Sequence, residues 1–266
     1  MYTHVHTHTG ALVFGCLPAE LVQVARSGED AESRVRAVAD MQHVFESLQT
    51  GTDVLPHLQP LLSMLCALMQ DVNLKVIVGA MECTGVLVRK LGWPVRNHVD
   101  LLVNKLAEVL GDSKIVVRQG AARLVNRLMH TPTPAPVLHI LLKHLTAASW
   151  RVREEVINVV IVAVSTFMPD RFDFEQLTQL LVPALKDKRS RIKFVAIEAL
   201  AVIANVVGTK QMWALLDQHT ISEPVKQSIR ERLQSSSELP AITDDGMVRP
   251  FPLAVALFFF FQRSTI

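Results

Sequence analysis

The chain alternates between stretches of regularly spaced apolar residues and short breaks of polar residues or prolines. In residues 58–69, 99–110, 137–145 and 177–185 the apolar positions recur every three or four residues. This spacing places them along one face of a helix. Each stretch is followed, after a short break, by a second and more continuously apolar one. The pattern predicts pairs of helices, the second of each pair being the more deeply buried.

The second stretch of each pair opens with an apolar residue followed by a basic one. This happens five times, at Val35–Arg36, Leu74–Lys75, Val117–Arg118, Val152–Arg153 and Ile192–Lys193. The basic residues follow one another at spacings of 39, 43, 35 and 40 residues. Just upstream lie residues of types that favour helix N-caps, namely Asp30, Asp71, Asp112, Ser149 and Asp187. A period of about 40 residues with paired helices is typical of HEAT repeats.

The predicted fold class is therefore all-α, a HEAT-repeat α-solenoid of about six helix pairs over residues 15–234. Residues 1–14 are predicted to be a disordered N-terminal arm. Residues 235–266 are predicted to be a linker followed by an irregular apolar tail outside the fold. The nine apolar residues 253–261 are too few to cross a membrane, which takes about 20 residues, so we expect no membrane span.

Composition excludes several function classes. The 27 basic residues nearly balance the 25 acidic ones, and the resulting charge of +2 does not suggest a nucleic-acid partner. The three cysteines lack the spacing of a metal site or a disulfide framework, so we expect reduced thiols. No phosphate-binding glycine loop, nucleophile elbow or HExxH motif occurs in the sequence. We therefore expect no enzymatic activity, no cofactor and no metal.

In a solenoid of helix pairs, the loops within the repeats lie along one edge, where they can contact a partner together. These intra-repeat loops are predicted at residues 27–33, 70–74, 111–117, 147–152 and 186–192, and we call them the first to fifth loops. Basic residues gather from the third loop onward, and the fifth loop with the next residue holds five of them and a single acid. The loop-edge residues of interest are Lys114, Trp150, Arg151, Arg153, Lys188 and Arg189.

Two interpretations of these residues stay open at this stage. The basic residues that recur at one position of the repeat, Arg153 among them, fit a structural ladder in which each pairs with an acid of the adjacent repeat. Lys114, Arg151, Lys188 and Arg189 do not recur in this way, which favours a contact with a partner. Trp150 fits either a partner contact or packing on a neighbouring loop.

Three segments carry a resemblance to a known family. They are Asp71-Val-Asn-Leu-Lys-Val76, Ser149-Trp-Arg-Val-Arg-Glu-Glu-Val156 and Pro183-Ala-Leu-Lys-Asp-Lys-Arg189. The chain resembles TOG domains over residues 13–233, most closely the second TOG domain of the crescerin proteins, the TOG-array regulators of axonemal microtubules. The resemblance implies a flat paddle of six HEAT repeats that binds the αβ-tubulin heterodimer through its intra-repeat loops.

Carried over position by position, the resemblance places tubulin contacts at Val72 and Asn73 in the second loop and Lys114 in the third. Arg151 and Arg153 would serve in the fourth loop, and Lys188 and Arg189 in the fifth. Trp150 is added to this set from its position on the loop edge and not from the resemblance. The first loop departs from the family, because many TOG domains carry a tryptophan there whereas this loop is acidic and lacks an aromatic residue.

The sequence thus predicts a monomeric, non-enzymatic module that binds αβ-tubulin or microtubules, in the cytoplasm, at the cytoskeleton and in the cilium or axoneme. The alternative is a general HEAT-repeat scaffold that does not bind tubulin and uses its helix faces for other protein partners. The location of the polar, partner-ready residues separates the two: loop edge for tubulin, helix faces for the scaffold.

Overall fold

The computed structural model describes residues 11–27, 30–131, 133–235 and 238–249. Twelve α-helices and one short antiparallel strand pair are found among them. The helices are α1 (Ala19–Ser27), α2 (Ala31–Ser47), α3 (Leu58–Leu68), α4 (Leu74–Leu91), α5 (Val99–Val109), α6 (Ile115–Met129), α7 (Pro134–Leu141), α8 (Trp150–Thr166), α9 (Phe174–Leu181), α10 (Ser190–Val207), α11 (Thr209–Leu216) and α12 (Glu223–Gln234). The predicted all-α class and helical-repeat architecture are confirmed.

The helices follow one another along the chain as six pairs, and prolines mark four of the five breaks between pairs, the fifth break being at Gly208. Short 3-10 turns at Leu55–His57, Trp93–His98 and Pro169–Arg171 each contain a proline in their first two positions. Proline lacks a backbone N–H and fixes φ, so it starts a helical turn readily but cannot continue one. The punctuation seen in the sequence therefore corresponds to real helix boundaries.

The chain divides into two compact units, Met1–Lys105 and Leu106–Ile266, and the boundary falls within α5. In unit 1 the second helices α2 and α4 pack against each other, with α1 on α2 and α3 on α4. Fully buried side chains fill this core, including Met41, Phe45, Leu61, Leu65 and Leu87. Gly79 allows the close approach of the second helices, because a Cβ there would lie 2.7 Å from Val38 Cγ1.

In unit 2 the second helices α6, α8 and α10 pack side by side, and α12 packs on α10. Residues Ile157, Ile161, Leu200 and Ile203 are fully buried. The central part of α8 and nearly all of α10 are buried on several faces, as their continuous apolar sequence predicts. First helices α7 and α9 continue into 3-10 turns at Leu142–Thr146 and Val182–Lys186, which lead into the fourth and fifth loops.

A ladder of ion pairs links neighbouring repeats within each unit. In unit 1 Arg34 binds Asp71 at 2.9 Å. In unit 2 Arg118 binds Glu155 at 3.3 Å and Arg153 binds Asp187 at 2.9 Å. Partners in these pairs are separated by 34 or 37 residues, about one repeat. Of the five recurring basic residues, Arg118 and Arg153 therefore form the structural ladder expected from the sequence.

The register of the ladder differs from the sequence prediction in the first two repeats. Helices α2, α4, α6, α8 and α10 have as N-caps Asp30, Asn73, Lys114, Ser149 and Arg189. The residue four positions after the N-cap is Arg34 in the first repeat and Ile77 in the second. The sequence had instead predicted Arg36 and Lys75 as the recurring basic residues of these two repeats. Arg36 is exposed and pairs only locally with Glu32. Side chains two residues apart point to different sides of a helix, which is why Arg34 and not Arg36 reaches Asp71.

Three of the aspartates predicted as N-caps are not the N-cap residues of their helices. Asp71, Asp112 and Asp187 stand two residues before the N-cap, and each accepts the N–H of the N-cap residue at 2.7–2.8 Å. This side-chain turn holds the loop in shape. It leaves Lys114 and Arg189 at N-cap positions where no side-chain cap is made.

Both ends of the described chain contain structure outside the predicted boundaries at 14 and 235. Leu12–Val13 pairs antiparallel with Leu17–Pro18, and Gly15 takes φ +75° where a Cβ would meet the Asp53 carbonyl oxygen. Residues 238–249, which we call the C-terminal segment, lie against α6 through an Arg123–Asp245 ion pair of 3.2 Å. These residues were predicted to lie outside the fold, since neither end fits the pattern of the helical repeats. A short irregular segment can still be held by such local contacts. The tail residues 250–266 lie outside the described residues.

The three cysteines are free. Cys66 and Cys83 are buried, and burial raises the pKa of the Cys83 thiol to about 12. Cys16 is half-buried, and desolvation raises the pKa of its thiol to about 11. Thiols with raised pKa values are poor nucleophiles, so Cys16 and Cys83 are not activated for chemistry.

Candidate loop-edge binding site

A tryptophan in contact with two arginines forms the centre of the site in unit 2. Trp150 is the first residue of α8, and its ring lies 4.9 Å from the Arg151 guanidinium carbon and 5.0 Å from that of Arg189. Arg151 comes from the fourth loop and Arg189 from the fifth, so the ring joins two loops. A guanidinium over an indole face is a favourable cation–π contact. The structure therefore brings together three of the predicted site residues.

Arg153 links the fourth loop to the fifth loop through its guanidinium group. Its guanidinium donates to the carbonyl oxygens of Ala147 and Ala148 at 2.6 and 3.1 Å and binds the Asp187 carboxylate. The other Asp187 oxygen accepts the N–H of Arg189 at 2.8 Å. With only 18% of its side chain exposed, Arg153 positions the site. Its predicted contact with a partner stays a prediction.

Lys114, Lys188 and Arg189 supply the exposed charge. Within the part of the chain that the structure describes, none of the three is in an ion pair. Arg191, counted with them in the sequence, instead binds Glu154, whose pKa is raised mainly by burial. The fifth loop therefore presents fewer uncompensated cations than its sequence suggests, and Lys188 and Arg189 are foremost among them.

Sequence reasoning missed two apolar members of the third loop. Ile115 and Val116 open α6 and are 57% and 44% exposed. They lie beside Lys114, and the loop behind them is held by Arg118, which donates to the carbonyl oxygens of Asp112 and Ser113. The signal that could have found them is their place in the first turn, outside the apolar face that starts at Val117.

The second loop, in unit 1, exposes one apolar side chain on a rigid support. Val72 is 89% exposed. Asp71 beneath it binds Arg34, and the Asn73 side chain caps α4 by accepting the N–H of Lys75 at 2.9 Å. Val72 is thus free to contact a partner, while Asn73 has a structural task of its own. These two predicted site residues belong to unit 1 and the other six to unit 2.

The Arg34–Asp71 pair predicts an acid-sensitive contribution to stability. The Arg34 hydrogen bond lowers the pKa of the Asp71 carboxyl. Stability from a carboxylate with a lowered pKa is present above the unfolded-state pKa, about 3.9, and is lost as pH falls through the folded-state value. We expect Asp71→Asn to lower the free energy of unfolding at about pH 7 and to differ less from the parent at about pH 3. Urea unfolding followed by circular dichroism at both pH values measures this.

Asp112→Asn is the matched control, because Asp112 makes the same bond to its N-cap N–H but has no ion pair among the described residues. It should lower stability less than Asp71→Asn at about pH 7. Equal losses in both variants, or a difference from the parent that is constant with pH, would mean that the arginine contact contributes nothing.

The first loop contains no aromatic residue, and Gly28 and Glu29 in it lie outside the described residues. Asp30 caps α2 by accepting the N–H and hydroxyl of Ser33 at 2.7 and 2.6 Å, and these hydrogen bonds lower the pKa of its carboxyl.

Among the described residues no helix is both long and apolar enough to cross a bilayer. The same residues contain no group of three potential metal ligands.

Known proteins that are similar to this chain carry names that refer to axonemal microtubules or to crescerin. No protein-family model matches the chain. The human protein "TOG array regulator of axonemal microtubules protein 1" is 32% identical over 243 residues, or 89% of this chain. The Caenorhabditis elegans "Crescerin-like protein che-12" is 27% identical over 89% of the chain. This chain spans only 14% and 19% of the length of these two relatives.

A solved structure from work described as "Crescerin uses a TOG domain array to regulate microtubules in the primary cilium" superposes with a TM-score of 0.78. It is 29% identical to this chain, and the match covers 90% of this chain and 97% of the other. Agreement in sequence and in backbone over the same region confirms the resemblance seen in the second, fourth and fifth loops. The chain therefore has the fold of a TOG domain, and over about nine-tenths of its length it is similar to the crescerin proteins.

Proposed function

We propose that this chain is a non-enzymatic module that binds αβ-tubulin through its intra-repeat loops and acts on ciliary or axonemal microtubules. The observation that carries the proposal is the cation–π contact of Trp150 with both Arg151 and Arg189, next to the exposed Lys188. A partly exposed tryptophan among arginines is the composition typical of interaction hot spots. The names of the relatives, which refer to axonemal microtubules, supply the partner.

The N-cap residues of α6 and α10 support a binding role independently. Asn, Asp, Ser or Thr at an N-cap stabilises a helix by about 0.5–2 kcal/mol relative to residues that cannot cap. Lys114 and Arg189 occupy these positions and make no side-chain cap. A positive charge there also opposes the positive end of the helix dipole. Neither cation stabilises the start of its helix, which is expected if both serve an acidic partner such as tubulin.

Co-elution tests the proposal directly. The chain and unpolymerised αβ-tubulin should elute together from a size-exclusion column at about 0.1 M salt, where electrostatic contacts act over about 10 Å. Separate elution at micromolar concentrations of both proteins would contradict tubulin binding. That result would favour the alternative, a helical-repeat scaffold for other proteins.

Trp150 should matter more for binding than for folding. We expect Trp150→Ala to weaken tubulin binding about tenfold, because it removes the surface that both arginines stack on. The free energy of unfolding should fall by only about 1 kcal/mol, since the ring is partly exposed at a helix start. Anisotropy titration with labelled tubulin and urea unfolding measure the two effects. A collapse in stability with unchanged affinity of the folded protein would make Trp150 a packing residue.

A further inference from the structure

We propose that a groove on the helix faces of unit 2 binds an extended peptide segment of a partner protein, one that carries both acidic and apolar side chains. The groove has a volume of about 630 Å³ and lies between α6, α8, α10 and the C-terminal segment. Its apolar floor is formed by Ala122, Val159, Val162 and Phe194. At the loop edge it is lined by Ile115 of the third loop, Trp150 and Arg151 of the fourth and Arg191 of the fifth. The proposal does not depend on tubulin binding.

Two buried acceptors in the groove call for a donor. The side-chain oxygens of Asn126 and Asn158 are buried and accept no hydrogen bond from the described residues. The Asn158 amide nitrogen is engaged, donating to Glu155 at 3.2 Å. Buried polar atoms nearly always have a partner in folded proteins. Both asparagines line the groove, and a peptide backbone lying in it would supply N–H donors to these oxygens once the two amide groups turn toward it.

The chain's own C-terminal segment forms one wall of the groove and offers a backbone edge to a ligand. Ile242 and Val248 form an antiparallel bridge, with Thr243 N–H bonded to the Met247 oxygen and Arg249 N–H to the Ala241 oxygen, both at 2.8 Å. In this register the backbone groups of Val248 point away from the paired strand. Val248 lines the groove, and its N–H has no backbone acceptor among the described residues. An added strand could pair with this open edge.

Charge selects acidic side chains in the ligand. The two carboxylates that line the groove are already matched, Glu154 by Arg191 and Glu155 by Arg118. Arg151 and Arg249 also line it, and within the described residues neither is in an ion pair. A segment with acidic side chains would meet these two arginines while its apolar side chains lie on the floor. An extended peptide that alternates acidic and β-branched residues combines both features.

The test uses the full chain and two fluorescein-labelled hexapeptides, Glu-Val-Thr-Val-Glu-Val and the same peptide with lysine in place of glutamate. Fluorescence anisotropy should show the glutamate peptide binding at least about tenfold more tightly than the lysine peptide. Ala122→Trp, which fills the groove from a partly exposed position, should weaken glutamate-peptide binding at least about tenfold. Arg249→Glu should weaken the glutamate peptide and strengthen the lysine peptide.

Lys143→Glu is the matched control, because Lys143 is exposed in unit 2 but does not line the groove. It should leave the affinity for the glutamate peptide within about twofold, since a distant exposed charge is screened by salt. Circular dichroism checks that Ala122→Trp keeps its helix content, and co-elution with tubulin checks the loop-edge site separately. Loss of peptide binding with retained tubulin binding assigns the effect to the groove.

Three results would overturn the proposal. One is that the parent chain does not bind the glutamate peptide. Another is equal binding by the parent, Ala122→Trp and Arg249→Glu, which would place the peptide elsewhere. The third is binding that appears only after residues 251–266 are deleted, which would identify the chain's own C-terminus as the occupant instead of a partner.

Discussion

Reversing the charge of the fifth loop should nearly abolish tubulin binding and leave the fold intact. We expect the double substitution Lys188→Glu with Arg189→Asp to lower the affinity for αβ-tubulin by more than about tenfold, and by up to about a thousandfold if both cations are desolvated in the complex. Both side chains are exposed and neither is in an ion pair among the described residues. The loss would thus come from the interface and not from the folded state.

The same substitution should not destabilise the protein. Aspartate at position 189 can cap α10, which arginine does not do. A cap is worth about 0.5–2 kcal/mol, which offsets the lost stacking of Arg189 on Trp150, about 0.5–1 kcal/mol at an exposed site. The free energy of unfolding should therefore stay within about 1 kcal/mol of the parent. A charged residue such as Arg189, which costs the fold a helix cap, is expected where binding and not stability has determined the residue.

The double variant Lys143→Glu with Lys210→Glu changes the net charge equally at exposed positions outside the five loops. It should keep most of the parent affinity.

Binding by the parent should also weaken as salt rises from about 0.1 M to 1 M, because the screening length falls from about 10 to 3 Å. If the fifth-loop variant co-elutes with tubulin as well as the parent does, the loop is a solvated turn and the proposed site loses its main support.

The largest loss of stability should follow from breaking the buried ion pair between α10 and α12. Arg232 donates from Nε and Nη2 to the two Glu198 oxygens at 2.7 and 2.9 Å, and the two side chains are only 5% and 2% exposed. Removing one partner of a buried pair leaves an uncompensated charge and costs about 3–5 kcal/mol. We expect Glu198→Ala to lower the free energy of unfolding by this amount in urea titrations.

Two controls separate this effect from a general cost of losing a glutamate. Glu32→Ala breaks the exposed pair with Arg36 and should cost less than about 1 kcal/mol. Glu198→Leu combined with Arg232→Met removes both charges and should recover much of the loss, because apolar replacements of a buried pair are often neutral. A loss below about 1 kcal/mol for Glu198→Ala would show that the sixth repeat is held by apolar packing alone.

The sequence by itself determined the repeat architecture, because helical periodicity and proline punctuation are local properties. The three- and four-residue spacing of apolar positions in residues 58–69 and 177–185 corresponds to α3 and α9 with the 3-10 turn that follows it. The loop residues Trp150, Lys188 and Arg189 could also be identified, since charge and an aromatic in a short break between two apolar helices have few structural uses.

Tertiary structure alone decided which charged side chains are structural and which are available. Arg34 reaches Asp71, whereas the sequence favoured Arg36 for the ladder, and Arg191, counted among the basic residues of the fifth loop, is paired with Glu154. Such pairs join residues about one repeat apart, so they depend on how adjacent helices cross. The bidentate contact of Glu198 with Arg232 and the groove beneath the C-terminal segment arise in the same way. Local periodicity carries no information on these contacts, because they form only when separate helices pack.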